Sequence, residues 1–181
     1  MLFRSFVSRC TPQGWSKPEP PVFAGDGVEA DPYFTADGRT VYFISTRSLN
    51  GQQRKDLDIW RARTDSSGRW TTENLGAAVN TAGDEYEPLP SANGLRLIIM
   101  ADGGLYESRK TKTGWSPRVK LPPEVNANAS EIGAVFSPSG RSLLFSRDTK
   151  HPDSGEFFVW HETGPEAWPP DCGPPERSFI P

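Results

Sequence analysis

Acidic side chains recur along this chain at fixed spacing, and they are the residues best suited to carry chemistry. Glu29, Glu85 and Glu131 lie 56 and then 46 residues apart, and two of them are followed two positions later by a second acid. Carboxylate oxygens are hard ligands, so several acids brought together could bind a divalent cation or a polar ligand. The full set is Glu29, Asp31, Glu85, Glu87 and Glu131.

Each acid could instead pair with an arginine or with backbone amides of a neighbouring unit. Arg47 and Arg147 each follow a short apolar run and are available as partners. A residue that recurs in every repeat is more often structural than specific to a site, and the structural role is favoured here. We therefore treat the five acids, with Arg47 and Arg147, as candidate ligand or channel residues, and we expect no catalytic residue, metal or cofactor.

Other patterns that could carry chemistry are incomplete. The segment 56–58 lacks the Gly and the distal Glu of a calcium loop, and we expect Asp58 to accept from backbone donors at the start of a strand. The two histidines, His151 and His161, lie outside any G-x-S-x-G pattern. Tryptophans end successive units, where packing between units is favoured over sugar stacking; they are Trp70, Trp115 and Trp168.

Each of the five candidate acids lies at or just before a predicted strand–turn–strand segment. This segment occurs three times in the sequence, at 31–45, 87–100 and 134–146. Apolar runs flank a tight turn in each copy. The connector at 75–85 overlays 121–131 without a gap, so the repeat keeps one phase. The turn pairs are Asp37-Gly38, Asn93-Gly94 and Ser139-Gly140.

Each unit continues with two further strands, predicted in the third unit at 156–161 and 164–168. Four short strands joined by hairpin turns in every 45–56 residues are typical of a propeller blade, whereas solenoid repeats are shorter or helical. The sequence thus predicts an all-β fold, a partial (open) β-propeller of about three and a half four-stranded antiparallel blades. The expected divisions are a half-blade at 1–24, blades at about 25–80, 81–126 and 127–168, and a Pro-rich irregular tail at 169–181.

The N-terminal half-blade is expected to match the second half of the second unit. Residues 2–5 align with 105–108, and Gly14-Trp15-Ser16 aligns with Gly114-Trp115-Ser116. The chain is therefore expected to begin in the middle of a blade.

Residues 29–45 resemble the WD40-like PD40 repeat of TolB-type β-propellers, whose wording is E-x-x-P-x-F-S-P-D-G-x-x-L-Y-F-x-S. The third unit keeps Phe136-Ser137-Pro138-Ser139-Gly140 with Ser in place of Asp, and the second unit departs further. The resemblance covers residues 1 to about 170. It implies a propeller of about six blades, mostly bacterial and often periplasmic or exported, that serves as an interaction scaffold.

Bulk composition excludes several classes of function. The 181 residues carry a net charge of −3 and no basic cluster, so no nucleic-acid partner is expected. No apolar run approaches the roughly 20 residues of a membrane span, and the N-terminus lacks the apolar region of a signal peptide. Cys10 and Cys172 are expected to be free thiols, with a ring-closing disulfide as the alternative.

The sequence favours a noncatalytic interaction or scaffold module that binds a protein or an exported polymer. The alternative is the remnant of a carbohydrate-active or hydrolytic propeller with its acids at the channel mouth. An open array leaves apolar blade faces exposed at both ends, so self-association through these faces is also expected.

Overall fold

The computed structural model describes residues 4–152 and 155–169, and within them it contains strands and no helix. No helix in this part of the chain is long and apolar enough to cross a membrane. In chain order the strands are β1 (Cys10–Thr11), β2 (Gly14–Trp15), β3 (Glu29–Phe34), β4 (Thr40–Ser45), β5 (Asp58–Thr64), β6 (Trp70–Asn74), β7 (Glu85–Pro90), β8 (Arg96–Ala101), β9 (Gly104–Arg109), β10 (Val119–Lys120), β11 (Glu131–Phe136), β12 (Ser142–Arg147) and β13 (Glu156–His161).

These strands form successive antiparallel sheets in which each strand pairs with its neighbour in sequence. Blade 1 is β3-β4-β5-β6, blade 2 is β7-β8-β9-β10, and blade 3 is β11-β12-β13. Among the described residues these sheets do not close into a ring. The fold is therefore all-β and propeller-like but open, as the sequence predicted.

Blade 3 has three strands among the described residues, and the fourth strand predicted at 164–168 is not formed. Glu166 instead accepts hydrogen bonds from the hydroxyls of Ser137 and Ser142, at 3.0 and 2.6 Å. These contacts hold the segment back against the inner hairpin of the blade. Pro165 also has no N–H to donate to a strand ladder.

The N-terminal half-blade, residues 4–20, repeats the geometry of the β9–β10 region at an offset of 100 residues. Ser8 Oγ donates to the Ser16 carbonyl at 2.5 Å, and Ser108 Oγ donates to the Ser116 carbonyl at 2.6 Å. The bridge between Val7 and Glu19 likewise matches the β9–β10 pairing of Glu107 with Val119.

The predicted alignment of residues 2–5 with 105–108 is therefore wrong by three positions. Ser8, and not Ser5, stands at the place of Ser108, because the hydrogen bonds to the Gly-Trp-Ser segment fix the register. Leu2 and Phe3 lie outside the described residues, as do residues 170–181 of the predicted tail with Cys172. Cys10 is exposed on β1.

The innermost strand of each blade carries a β-bulge at the same repeat position. The register of β3, β7 and β11 against its partner shifts within four residues of the strand start. A residue with positive φ occupies each bulge: Asp31 at 49°, Glu87 at 49° and Gly133 at 66°. Left-handed backbone is unfavourable for residues with a Cβ, so Asp31 and Glu87 need a compensating contact.

The core lies between successive blades. We call the side of a blade that meets the next blade in the chain its front face and the opposite side its rear face. The front face of blade 1 (Tyr42, Ile44 and Ile59) packs against the rear face of blade 2, which includes Leu97, Ile99 and Trp115. Blades 2 and 3 meet through a second cluster that contains Ile98, Leu105, Leu143 and Phe145.

An asparagine in each of the two connectors, 75–85 and 121–131, forms hydrogen bonds with the third strand of the preceding blade. Asn80 accepts from the Ile59 N–H at 2.8 Å and donates to the Ile59 carbonyl at 3.0 Å. Asn126 makes the same pair of bonds to Leu105, at 2.7 and 2.9 Å. The two connectors, which align without a gap in the sequence, thus perform one structural task.

Replacing Asn80 with Ala should destabilise the fold by about 1–3 kcal/mol, because the buried Ile59 N–H loses its acceptor. Urea unfolding followed by tryptophan fluorescence measures the change. Gln13→Ala removes an exposed amide of the N-terminal hairpin and is the matched control. Equal stability of the two variants would show that the asparagine contact is dispensable.

Candidate functional site

Three of the five candidate acids lie at the first residue of an innermost strand. Glu29 opens β3, Glu85 opens β7 and Glu131 opens β11, and all three side chains are buried. Each carboxylate accepts a hydrogen bond from the backbone N–H four residues earlier. These donors are Gly25 at 2.8 Å, Thr81 at 3.1 Å and Ala127 at 2.9 Å. The acid thus fixes the end of the preceding connector.

Arginines neutralise the buried acids. Arg47 pairs with Glu29, and Arg147 Nε lies 2.8 Å from Glu131 Oε1, so both candidate arginines contact a candidate acid. The guanidinium of Arg147 also donates to the Val125 carbonyl at 2.6 Å. Its Cζ lies 4.4 Å from the ring centroid of Phe158, within the range of a cation–π contact.

Glu85 takes a partner that the sequence did not reveal. Arg118 Nη1 lies 2.6 Å from Glu85 Oε1. The strand position that holds Arg147 in blade 3 is Ala101 in blade 2, because Glu131 pairs with Arg147 and Glu85 with Ala101 in the ladder. An arginine from the segment before β10 therefore replaces the missing one.

Asp31 and Glu87 occupy the bulges and form a different arrangement. The Glu87 N–H lies 3.4 Å from Asp31 Oδ2, and the Gly133 N–H donates to Glu87 Oε2 at 2.6 Å. The carboxylate of each blade thus reaches the bulge amide of the next, and these contacts compensate for the left-handed backbone. Burial raises the pKa of Glu87, and the nearby Asp31 carboxylate raises it further.

The five acids therefore lie in two layers with separate partners. Glu29, Glu85 and Glu131 bind arginine and connector amides, and Asp31 and Glu87 link the bulges of adjacent blades. Within residues 4–152 and 155–169, no three His, Cys, Asp or Glu side chains converge in a geometry that could hold a metal ion.

The prediction that Asp58 accepts hydrogen bonds from backbone donors is wrong, because its donors are side chains. Arg54 Nη2 lies 2.9 Å from its Oδ1, and Asn74 Nδ2 lies 2.7 Å from its Oδ2. The two oxygens of this carboxylate point toward Arg54 in the loop before β5 and toward Asn74 on β6. They therefore accept hydrogen bonds from these two side chains and not from strand amides. Burial raises the pKa of Asp58.

One polar cluster has no counterpart in the sequence prediction. Ser142 Oγ lies 2.7 Å from His161 Nδ1 and 2.6 Å from Glu166 Oε2. The hydroxyl has one proton, so when it donates to the carboxylate the histidine must donate from Nδ1. This order differs from that of a catalytic triad, in which histidine lies between serine and carboxylate. The hydrogen bond from Ser142 lowers the pKa of Glu166.

The fold is an open, all-β propeller-like array, and an acid–arginine pair lies at the start of the innermost strand of each of its three blades. No protein-family model matches the chain, and no curated protein matches it significantly. Among solved structures, one match is a crystal structure from Bacteroides uniformis provisionally assigned as a 6-phosphogluconolactonase. The TM-score is 0.47 at 13% identity, and the match covers 88% of this chain and 51% of the other. This chain thus spans about half the length of that protein.

Removing Arg147 should destabilise the fold by about 3–5 kcal/mol, because Glu131 would remain buried without its cation. Chemical unfolding of Arg147→Ala measures the loss. Arg141→Ala, which removes an exposed arginine of the same hairpin, should change stability by less than about 0.5 kcal/mol. A small effect of Arg147→Ala would mean that the pair contributes little.

Glu131 and Glu85 should affect stability with opposite dependence on pH. Burial acts to raise the pKa of Glu131, but hydrogen bonds from the Asn128 N–H and from Arg147 outweigh it, and the pKa is lowered. Its stabilising effect is therefore present above the ordinary carboxyl pKa and is lost as pH falls through the lowered value. Burial raises the pKa of Glu85. The contribution of Glu85 is therefore present at low pH and is lost as pH rises through the raised value.

Unfolding of Glu131→Gln and Glu85→Gln between about pH 3 and pH 7 tests this difference. The stability gap between wild type and Glu131→Gln should narrow toward acid, and the gap for Glu85→Gln should narrow toward neutral pH. Parallel trends for the two variants would contradict the assignment of their pKa directions.

Proposed function

We propose that this chain is a noncatalytic β-propeller module of the TolB-like, PD40-repeat kind that binds a protein partner. The partner contacts the end of the array where the inner hairpins turn, between strands one and two of each blade. Acidic side chains of the partner enter grooves between neighbouring turns. An exported polyanionic chain would satisfy the same chemistry.

The observation that carries this proposal is a pair of grooves at the same repeat position. The first lies between the turns of blades 1 and 2, has a volume of about 370 Å³ and is lined in part by Asp37, Asn93 and Arg63. The second lies between the turns of blades 2 and 3, has a volume of about 300 Å³ and is lined in part by Ser139 and Arg141. Repetition of the groove suits a partner that extends across several blades.

The charge of the grooves suggests the chemistry of the partner. Arg63 lines the first groove and Arg141 the second, and both side chains are exposed. The guanidinium group matches a carboxylate with two parallel hydrogen bonds. The acids in the lining already have partners, since Asp37 accepts from the Thr35 hydroxyl and Glu162 pairs with Arg96. An acidic segment is therefore the partner that we propose for these grooves.

The contacts of the recurring acids support the noncatalytic part of the proposal. A catalytic carboxylate must reach the substrate, whereas Glu29 and Glu85 are buried and bound to arginine. Asp31 and Glu87 are directed to the next blade. The alternative, a remnant of a hydrolytic propeller, would require these acids to exchange their present partners for substrate.

Fluorescein-labelled poly-L-glutamate tests the grooves as a probe. Binding measured by fluorescence anisotropy should weaken by about tenfold or more in Arg63→Glu/Arg141→Glu and should decrease with added salt. Lys17→Glu/Lys55→Glu changes the net charge equally at exposed positions outside the grooves and is the control.

Two results would contradict the proposal. Equal loss of binding in both double variants would show that only net charge matters. Turnover on a panel of glycosides and peptides that disappears in folded Glu29→Gln and Glu85→Gln variants would show that the module is an enzyme.

A further inference from the structure

Two exposed apolar surfaces at opposite ends of the array correspond to the two sides of an interface that the chain already contains. The internal interface joins blades 1 and 2. On blade 2, Tyr106 and Trp115 belong to the rear face, and on blade 1 they meet Tyr42, Ile44 and Ile59. The rings of Tyr42 and Trp115 make an edge-on contact with centroids 6.1 Å apart.

The N-terminal half-blade carries the rear side of this interface without a partner. The offset of 100 residues places Phe6 at the position of Tyr106 and Trp15 at the position of Trp115. Trp115 is 8% exposed, whereas Trp15 is 75% exposed and Phe6 is 61% exposed. The two aromatic side chains thus lie in solvent at positions that are packed in blade 2. We call Phe6 and Trp15 the aromatic pair.

Blade 3 carries the front side of the same interface, also without a partner in the described part of the chain. The ladder pairs Val135 with Leu144 and Leu144 with Val159, so these three side chains share one face. The next rung is Ile132, Ser146 and Phe157, on the same face. Leu144 stands where Tyr42 stands in blade 1, and Phe157 stands where Ile59 stands. The exposed members of this apolar face are Ile132, Val135, Phe157 and Val159.

We propose that the occupant of the apolar face of blade 3 is the aromatic pair of a second copy of this chain. Trp15 of one copy packs on Leu144 and Phe157 of the other, as Trp115 packs on the front face of blade 1. The two surfaces differ from each other, so the contact is heterologous and forms a ring when the rotation closes. Two copies supply six blades and two half-blades, which occupy eight blade positions and lie within the four to eight blades of closed propellers. The structure therefore points to a closed head-to-tail dimer.

This proposal does not depend on the grooves at the turn end. Neither the aromatic pair nor the apolar face of blade 3 lines either groove. Failure of poly-glutamate binding would therefore leave the dimer untouched, and failure of the dimer would leave the grooves untouched.

Light scattering after size exclusion of the full chain tests the dimer. We expect twice the mass of one chain for wild type, and the mass of one chain for Trp15→Ser and for Phe157→Ser. Because both side chains are exposed within one chain, the circular dichroism spectra of these variants should remain unchanged. Their thermal unfolding should stay cooperative but occur at a lower temperature than in wild type, because association no longer stabilises the folded state. Leu95→Ser alters an exposed apolar side chain at the turn end and should leave the dimer intact.

Mixing the two monomeric variants distinguishes a head-to-tail contact from a symmetric one. The Trp15→Ser chain keeps an intact apolar face and the Phe157→Ser chain keeps an intact aromatic pair, so the mixture can form one of the two contacts. We expect dimers in the mixture where each variant alone is monomeric.

Three outcomes would overturn the proposal. A wild-type monomer would show that no second copy occupies the apolar face. A dimer that survives both substitutions would place the interface elsewhere. Failure of the mixture to associate would show that the two surfaces do not meet each other.

Discussion

A buried carboxylate at the start of each innermost strand is the constraint on which the blades depend. An ionised acid is costly to bury unless a cation and hydrogen-bond donors surround it. Glu29, Glu85 and Glu131 meet this requirement with an arginine and with the N–H four residues earlier. The strand, the connector and the arginine are therefore held in one relative position, and the blade takes its orientation from them.

The backbone of the array could be predicted because its signals are local and repeated. The hairpins and their order are determined by turn pairs that contain Gly, by apolar runs and by connectors of equal length. Because the repeat occurs three times, its common pattern is visible even where one copy differs from the others. The sequence could also predict that Glu29 pairs with Arg47 and that Glu131 pairs with Arg147. Glu131 is opposite Arg147 in the ladder and Glu29 is opposite Ser45, two residues before Arg47, so each acid is close to its arginine whenever the hairpin forms.

The remaining details depend on contacts between distant segments. Arg118 reaches Glu85 from 33 residues away, and the sign of this in the sequence is that Ala101 stands at the repeat position that Arg147 holds in blade 3. The predicted alignment of residues 2–5 is wrong by three positions because it follows the likeness of the side chains, whereas the hydrogen bonds of Ser8 and Ser16 set the backbone register. The fourth strand predicted for blade 3 does not form, and Glu166 instead accepts hydrogen bonds from the hydroxyls of Ser137 and Ser142. The periodicity of the sequence does not predict these contacts.

The bulge contacts give the array a direction, and this direction decides how a longer propeller could be built from it. Glu87 both offers its N–H to Asp31 and supplies a carboxylate to Gly133, so blade 2 has an inner connection on each side. A tandem copy of blade 2 would bring its own acceptor for the blade that follows. A blade appended after blade 3 would meet Gly133, which has no side chain to offer, and would lack that connection. Blade 2 is therefore the module to duplicate in a designed extension.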